Sequence, residues 1–246
     1  MNEIVYNDEF YKERYKRTIK SARALLPIII DLIKPSSVID FGCADGIWLS
    51  VFNELGISDF IGVDGDFVDR NHLYIPINKF ITHDLSTSFV IDKKFDLAIS
   101  LEVAEHLPEE KSELFIQSII STSNVVLFSA AIPYQGGVNH YNEQWQDYWA
   151  RLFQGFGYKT LDIIRNQIWD NDEIAPYYRQ NILLFVNEEN PHFFDESCLN
   201  EYPINIIHPE IYLQKIRQIK NLQNKKSSII KRFIRKLKKW IRINHR

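Results

Sequence analysis

The 246 residues carry 45% hydrophobic side chains, enough to bury the core of one large α/β domain. No run approaches the roughly 18 uninterrupted apolar residues of a membrane-spanning helix, and Met1-Asn2-Glu3-Ile4 does not open a signal peptide, so a cytoplasmic protein is expected. Two cysteines, Cys43 and Cys198, are too few for a disulfide framework or a cysteine-based zinc site and suit a reducing compartment. The net charge of −3 joins two unlike parts. Thirteen Lys and Arg and no acid follow Glu210, while residues 1–210 hold 32 acidic side chains against 16 basic ones. Body and tail are therefore expected to have separate roles.

Residues 8–34 read as a helix, with Phe10, Tyr11, Tyr15, Ile19, Ala22, Leu25, Leu26 and Ile29 at three- and four-residue steps. Pro27 is expected to kink or divide it. After Pro35-Ser36-Ser37 short β-branched runs alternate with helical segments. The strands are expected at 37–41, 59–63, 79–82, 95–100, 124–130, 159–165 and 182–186, and the helices at 47–55, 109–121 and 142–156. The second of these helices opens on Pro108 and two glutamates, and Asn142 stands as the cap of the third. Alternation of this kind describes a parallel sheet covered by helices. Residues 166–181 are too irregular for a full helix, which predicts an antiparallel ending. The expected fold is α/β: a Rossmann-like, doubly wound, seven-stranded sheet with an antiparallel last strand, an N-terminal helix and a C-terminal basic helical tail. The corresponding domains are a helical cap at 1–35, a ligand-binding domain at 36–187, a linker at 188–210 and the tail at 211–246.

In such a sheet ligands collect beyond the carboxyl ends of the strands. The turn after the first strand reads Asp40-Phe41-Gly42-Cys43-Ala44-Asp45-Gly46. A dinucleotide fingerprint needs small residues at the first, third and sixth positions, and Ile47 fails the third of these requirements. Asp40 and Asp45 in the turn, Asp64 after the second strand and Asp84 after the third would repel a pyrophosphate. The same set would attract a ligand bearing a sulfonium and an ammonium.

Together with Ile61-Gly62-Val63-Asp64, His83-Asp84-Leu85 and the run from Asp96 to Val103, this order resembles the class I S-adenosylmethionine-dependent methyltransferases over residues 36–187. The resemblance implies S-adenosylmethionine as cofactor. It implies that Asp40, Gly42, Cys43 and Gly46 form the methionine pocket, that Asp64 holds the ribose hydroxyls and that Asp84 faces the adenine. Ser100 and Leu101 would line the floor near the methyl. Ala44 stands where that family usually has glycine, and a negative φ is required of it.

Methyl transfer is an in-line displacement at carbon, so the protein must align an acceptor and, for a hydroxyl, remove its proton. Leu101-Glu102-Val103-Ala104-Glu105-His106 supplies carboxylates and an imidazole just beyond the fourth strand. The Gly136-Gly137 loop after the fifth brings His140, Asn142, Glu143 and Trp145. Glu102, His106 and His140 are the catalytic candidates, an imidazole being the natural base. Asn142, Glu143, Trp145, Tyr178 and Arg179 are the candidates for acceptor binding. Each has a structural alternative: the histidines in local hydrogen bonds, Asn142 and Glu143 in a helix start, Glu102 as a loop brace. Glu102, His106, His140 and Glu143 are too widely separated for a ligand-spacing argument, and no metal is expected.

The runs Leu-Glu-Val-Ala-Glu-His, Gly-Gly-Val-Asn-His-Tyr-Asn-Glu-Gln-Trp and Tyr-Arg-Gln-Asn look like a subgroup of bacterial methyltransferases linked to capsule and O-antigen assembly, over residues 95–186. That likeness implies O-methylation of a sugar or sugar-linked group in surface polysaccharide biosynthesis. Methylation of another small phosphorylated or amino metabolite, and a non-catalytic cofactor-binding scaffold, are the competing readings. Nucleic acid is disfavoured as a substrate by the acidic body. In the tail, Ile229, Ile230, Phe233, Ile234, Leu237, Trp240 and Ile241 make the stripe of a basic amphipathic helix, for which peripheral contact with the inner face of an anionic membrane is expected. Binding of nucleic acid by the tail, or contact with an acidic partner or with the acidic body itself, are the alternatives; the oligomeric state is open.

Overall fold

The structure, a computed structural model, describes residues 8–189 and 205–244. They fall into two units, one ending at Ile206 and one starting at Ile207.

The first unit opens with α1 (Asp8–Ile33). Pro27 lies inside this helix without dividing it: Leu25, Leu26 and Ile29 are all fully buried around the proline, and burial on both sides offsets the one backbone hydrogen bond that proline removes. Then follow β1 (Ser37–Phe41), α2 (Ile47–Glu54), β2 (Asp59–Asp64), β3 (Phe80–Thr82), β4 (Leu97–Leu101), α3 (Ser112–Ile120), β5 (Val125–Ser129), α4 (Gln146–Gly155), β6 (Tyr158–Leu161), α5 (Arg165–Ile168), α6 (Pro176–Asn181) and β7 (Leu183–Asn187). The seven strands form one sheet in the order β3-β2-β1-β4-β5-β7-β6. The first five strands pair in parallel, and β7 runs antiparallel to both β5 and β6. The strand order reverses beside β1, and the crevice for a ligand opens there.

Every residue of β1, β4 and β5 is buried, which is why these strands read as continuous apolar runs. Their side chains alternate between two cores. Val38, Leu97, Ile99, Val125 and Leu127 join α1 and α2 in one; Ile39, Phe41, Ala98, Val126 and Phe128 join α3 and α4 in the other. Period-two alternation thus fills both faces of the sheet.

Local details depart from expectation in several places; the strand expected at 159–165 is β6, which ends at Leu161, and Arg165 opens α5 instead. A 3-10 turn at Glu109–Lys111 precedes α3. Helix α4 begins at Gln146 with Trp145 at its N-cap, so Asn142 is no cap; its amide is buried and donates to Ser112 Oγ at 2.9 Å. The stretch before β7 folds into the two short helices α5 and α6.

The second unit contains α7 (Pro209–Asn244), 36 residues long. Cys198 and residues 190–204 of the expected linker lie outside the described residues, as do the side chains of Ile229, Ile230, Phe233, Ile234, Leu237, Trp240 and Ile241. Among the described residues no helix is long and apolar enough to cross a membrane.

Phe153 of α4 and Phe185 of β7 stack at 3.9 Å between ring centroids, both fully buried. Phe185→Ala is expected to lower unfolding stability by about 3–5 kcal/mol in a urea titration; an unchanged midpoint and slope would contradict this packing.

Candidate functional site

At the carboxyl end of β1 the chain turns sharply, with Gly42 at φ 84° and Gly46 at φ 80°. Both glycines are required for space as well as for angle. A Cβ on Gly42 would stand 2.4 Å from Val103 Cγ2, and one on Gly46 would stand 2.8 Å from Ile75 Cγ1. Ala44 has φ 48°, contrary to the negative value expected. The left-handed region costs a non-glycine residue roughly 1–2 kcal/mol, and the Ala44 N–H donates at 2.7 Å to Asp64 Oδ2, holding it there. Asp64 Oδ1 accepts the N–H of Gly65 at 2.7 Å, and the Val63 carbonyl accepts the N–H of Gly42 at 2.8 Å. The end of β2 thereby shapes the turn that follows β1.

Acidic side chains converge on this turn. Burial first, then Asp64, pushes the Asp40 carboxyl well above its ordinary range, and Asp40 Oδ2 has no hydrogen-bond partner among the described residues. Burial also raises the thiol of Cys43, with Asp40, Asp64 and Asp45 adding to it. The three carboxyl groups therefore bear on one small volume. Asp84 is different: it is exposed, and its Oδ1 accepts from the Ser86 N–H and hydroxyl, which hold its pKa below the usual carboxylate value.

A cavity of about 290 Å³ opens from the turn, walled by Gly42, Cys43, Ala44 and Asp45. Its far end is made by Leu101, Glu102, Glu105 and His106 after β4, and by Gln135, Gly136 and His140 after β5. Thr18 of α1 and Tyr177 and Tyr178 of α6 complete the wall. Ser100 is fully buried in β4 behind this end, with its hydroxyl unpartnered among the described residues.

Glu102 sits at φ 58°, a strained position of the kind that collects at functional sites. Its carboxylate accepts from Gln135 Nε2 at 2.7 Å and from Asn181 Nδ2 at 3.1 Å. Burial raises its pKa to about 7, against the opposing pull of Asn181, Gln135 and Ser129. Gln135 Oε1 in turn accepts from Gln180 and Asn181, so α6, the β5 loop and the β4 loop share one polar network.

His106 stands at the rim, its Nδ1 donating to the Asn139 carbonyl at 3.1 Å. Partial desolvation lowers its pKa, opposed by that carbonyl and assisted by His140, which keeps the ring neutral near pH 7. His140 Nδ1 donates to Glu143 Oε1 at 3.0 Å. Glu143 also accepts the N–H groups of Tyr134 and Gly136 at 2.7 and 2.8 Å. The two imidazoles meet edge to face, 4.8 Å between centroids. Gly137 makes room: a Cβ there would fall 2.0 Å from His140 Nε2.

Of the expected site residues, the cavity is lined by Gly42, Cys43, Leu101, Glu102, His106, His140 and Tyr178. Glu143 lies one hydrogen bond behind. Three expected acceptor-binding residues are elsewhere. Asn142 is buried against Ser112. Trp145 is 37% exposed at the start of α4. Arg179 is turned inward, donating to the Trp169 carbonyl at 3.0 Å and reaching Asp172 at 3.4 Å. Thr18, Ile47 and Trp48 line the cavity with no site role given them from sequence, whereas Glu105, Gln135 and Tyr177 line it from within runs that the sequence singles out. Glu105 carried the clearest signal of these, its place between Glu102 and His106.

A family model described as a methyltransferase domain matches residues 8–175. Among solved structures, Streptomyces venezuelae DesVI is 14% identical with a TM-score of 0.56, over 73% of this chain and 96% of that one. The methyltransferase domain of bacterial CtHen1 is 17% identical with a TM-score of 0.51, over 68% and 98%. Human N-acetylserotonin methyltransferase, solved in complex with SAM, is 15% identical with a TM-score of 0.50, over 68% and 51%. These identities establish a shared fold. No curated protein sequence matches the chain.

The Glu102 network generates a stability prediction. Glu102→Ala leaves the half-buried amide of Gln135 without its acceptor and the buried amide of Asn181 with Gln135 Oε1 alone, and is expected to cost about 1–3 kcal/mol in chemical denaturation; a neutral result would show that the network does not close around Glu102.

Proposed function

We propose that this chain, which belongs to the methyltransferase-domain family, moves the methyl group of S-adenosylmethionine onto an oxygen of a small hydroxylated acceptor. A sugar or sugar-linked group of a surface polysaccharide is the acceptor we favour. The observation that carries the reading is a single cavity with two chemically distinct ends, the carboxyl cluster of the β1 turn and the imidazole pair beyond β4 and β5.

The residues of the turn fit the donor. Its ammonium and sulfonium suit a volume on which Asp40, Asp45 and Asp64 converge, and the buried, unpartnered Asp40 Oδ2 offers an acceptor to it. Bound there, S-adenosylmethionine supplies a methyl on sulfur; a C–O bond forms as the C–S bond breaks, leaving S-adenosylhomocysteine and one proton. Asp64 accepts the N–H groups of Ala44 and Gly65, which orients its carboxylate at the turn, where the ribose hydroxyls would be held. Gly42 and Gly46 keep side-chain bulk out of the turn. Asp84 lies beyond β3 for the adenine side.

At the other end the chain must orient the acceptor hydroxyl and weaken its hold on its proton. Both histidines engage Nδ1 in a hydrogen bond, so Nε2 of each is the nitrogen left for the acceptor end. Glu143 and the Asn139 carbonyl fix the two rings, and Glu102 braces the loops that carry them. Tyr177, Tyr178 and Trp48 give the wall apolar surface suited to a sugar face.

His106→Ala and His140→Ala are each expected to lower turnover by about 10²–10⁴-fold with donor binding preserved. The assay incubates the full chain with methyl-labelled S-adenosylmethionine and, separately, nucleotide sugars, lipid-linked glycans and phosphorylated metabolites. Label in a sugar hydroxyl supports the reading. Label confined to non-sugar metabolites would overturn the favoured acceptor, and full turnover in both variants would remove the histidines from the chemistry.

A further inference from the structure

Glu105 is 1% exposed, and neither of its carboxyl oxygens makes a hydrogen bond among the described residues. A buried carboxyl in that condition is costly unless something of opposite charge faces it. A carboxyl oxygen of Glu105 and one ring nitrogen each of His106 and His140 lie within 4.8 Å of one another, and all three residues line the cavity. We propose that Glu105, His106 and His140 bind a divalent first-row transition cation at the acceptor end of the cavity, in reversal of the metal-free site expected from sequence.

The surroundings of the three residues have the form that metal ligands take. A ligating histidine usually donates its second ring N–H to a carboxylate or a backbone carbonyl, which sets the tautomer and aims the free nitrogen. His106 does so to the Asn139 carbonyl and His140 to Glu143. Glu143 is itself anchored by the N–H groups of Tyr134 and Gly136. The β5 loop is tied to the same point, because the Tyr141 and Asn142 N–H groups donate to the Glu105 carbonyl at 2.8 and 3.1 Å. A cation at this point favours the ionised form of the Glu105 carboxyl.

Ligand atoms about a first-row cation stand roughly 3–4 Å apart, given bonds of about 2.1 Å, so side-chain rotations of about an ångström close the set. Two imidazoles and one carboxylate favour manganese, iron, cobalt or zinc over magnesium or calcium. Three protein ligands also leave coordination positions for an acceptor oxygen, whose pKa the cation lowers. The proposal relies on the methyl-transfer reading only for naming that acceptor.

The test is titration of Mn2+ into the chelator-treated full chain, followed calorimetrically and by pulsed electron paramagnetic resonance. One Mn2+ per chain is expected, with coupling to imidazole nitrogen in the unmodified protein. Glu105→Gln and His140→Asn should each weaken binding at least about tenfold, and Mg2+ should bind more weakly than Mn2+. No Mn2+ binding, bound Mn2+ without nitrogen coupling, or folded variants that bind Mn2+ as tightly as the parent would overturn the site. S-adenosylmethionine binding to the chelated chain is measured in parallel. If Mn2+ binds as described and S-adenosylmethionine does not, the donor reading falls and the cation site stands.

Discussion

One carboxylate organises the β1 turn and the cavity that opens from it. Asp64 at the end of β2 accepts the backbone N–H groups of Ala44 and Gly65 and so joins the loops of two neighbouring parallel strands. Without that tie, Ala44 would have no compensation for its left-handed conformation, and the turn from Gly42 to Gly46 would lose the shape that opens the cavity. The tie also brings negative charge to the turn, since Asp64 acts on both Asp40 and Cys43. Geometry and electrostatics are therefore set by the same residue.

The far end of the cavity has a different logic, in which loops are made rigid by polar groups that converge under cover. Glu102, Gln135, Gln180 and Asn181 connect three segments far apart in sequence. Glu105 and Glu143 pin the β5 loop through its backbone. Such buried networks specify one arrangement because a half-made network leaves unsatisfied polar groups in a low-dielectric site. The two histidines are consequently presented by loops that behave as parts of the scaffold.

Much of this was legible from the residues alone, for physical reasons that also mark where legibility stops. Central strands such as β1, β4 and β5 are buried on both faces, so their apolar runs announced the sheet, and the irregular stretch before β7 announced its antiparallel ending. The acids Asp40, Asp45 and Asp64 were visible because each stands at or just beyond the end of a strand. By contrast, Ala44 was expected at negative φ because the Asp64 hydrogen bond that holds it is a tertiary contact. Arg179 and Asn142 looked like pocket residues because polarity in sequence does not say which way a side chain turns, and both turn into the interior. Thr18 gave no sign, since its place at the cavity depends on how α1 packs over the sheet.

The central claim is that the β1 turn and its carboxyl groups are built for a positively charged methyl donor and against a pyrophosphate. Calorimetric titration of the full chain with S-adenosylmethionine and, in parallel, with NAD+ tests it most directly. The account predicts saturable one-to-one binding of S-adenosylmethionine, with no measurable binding of NAD+ at the same concentrations. Binding of NAD+ as tight as that of S-adenosylmethionine would contradict it.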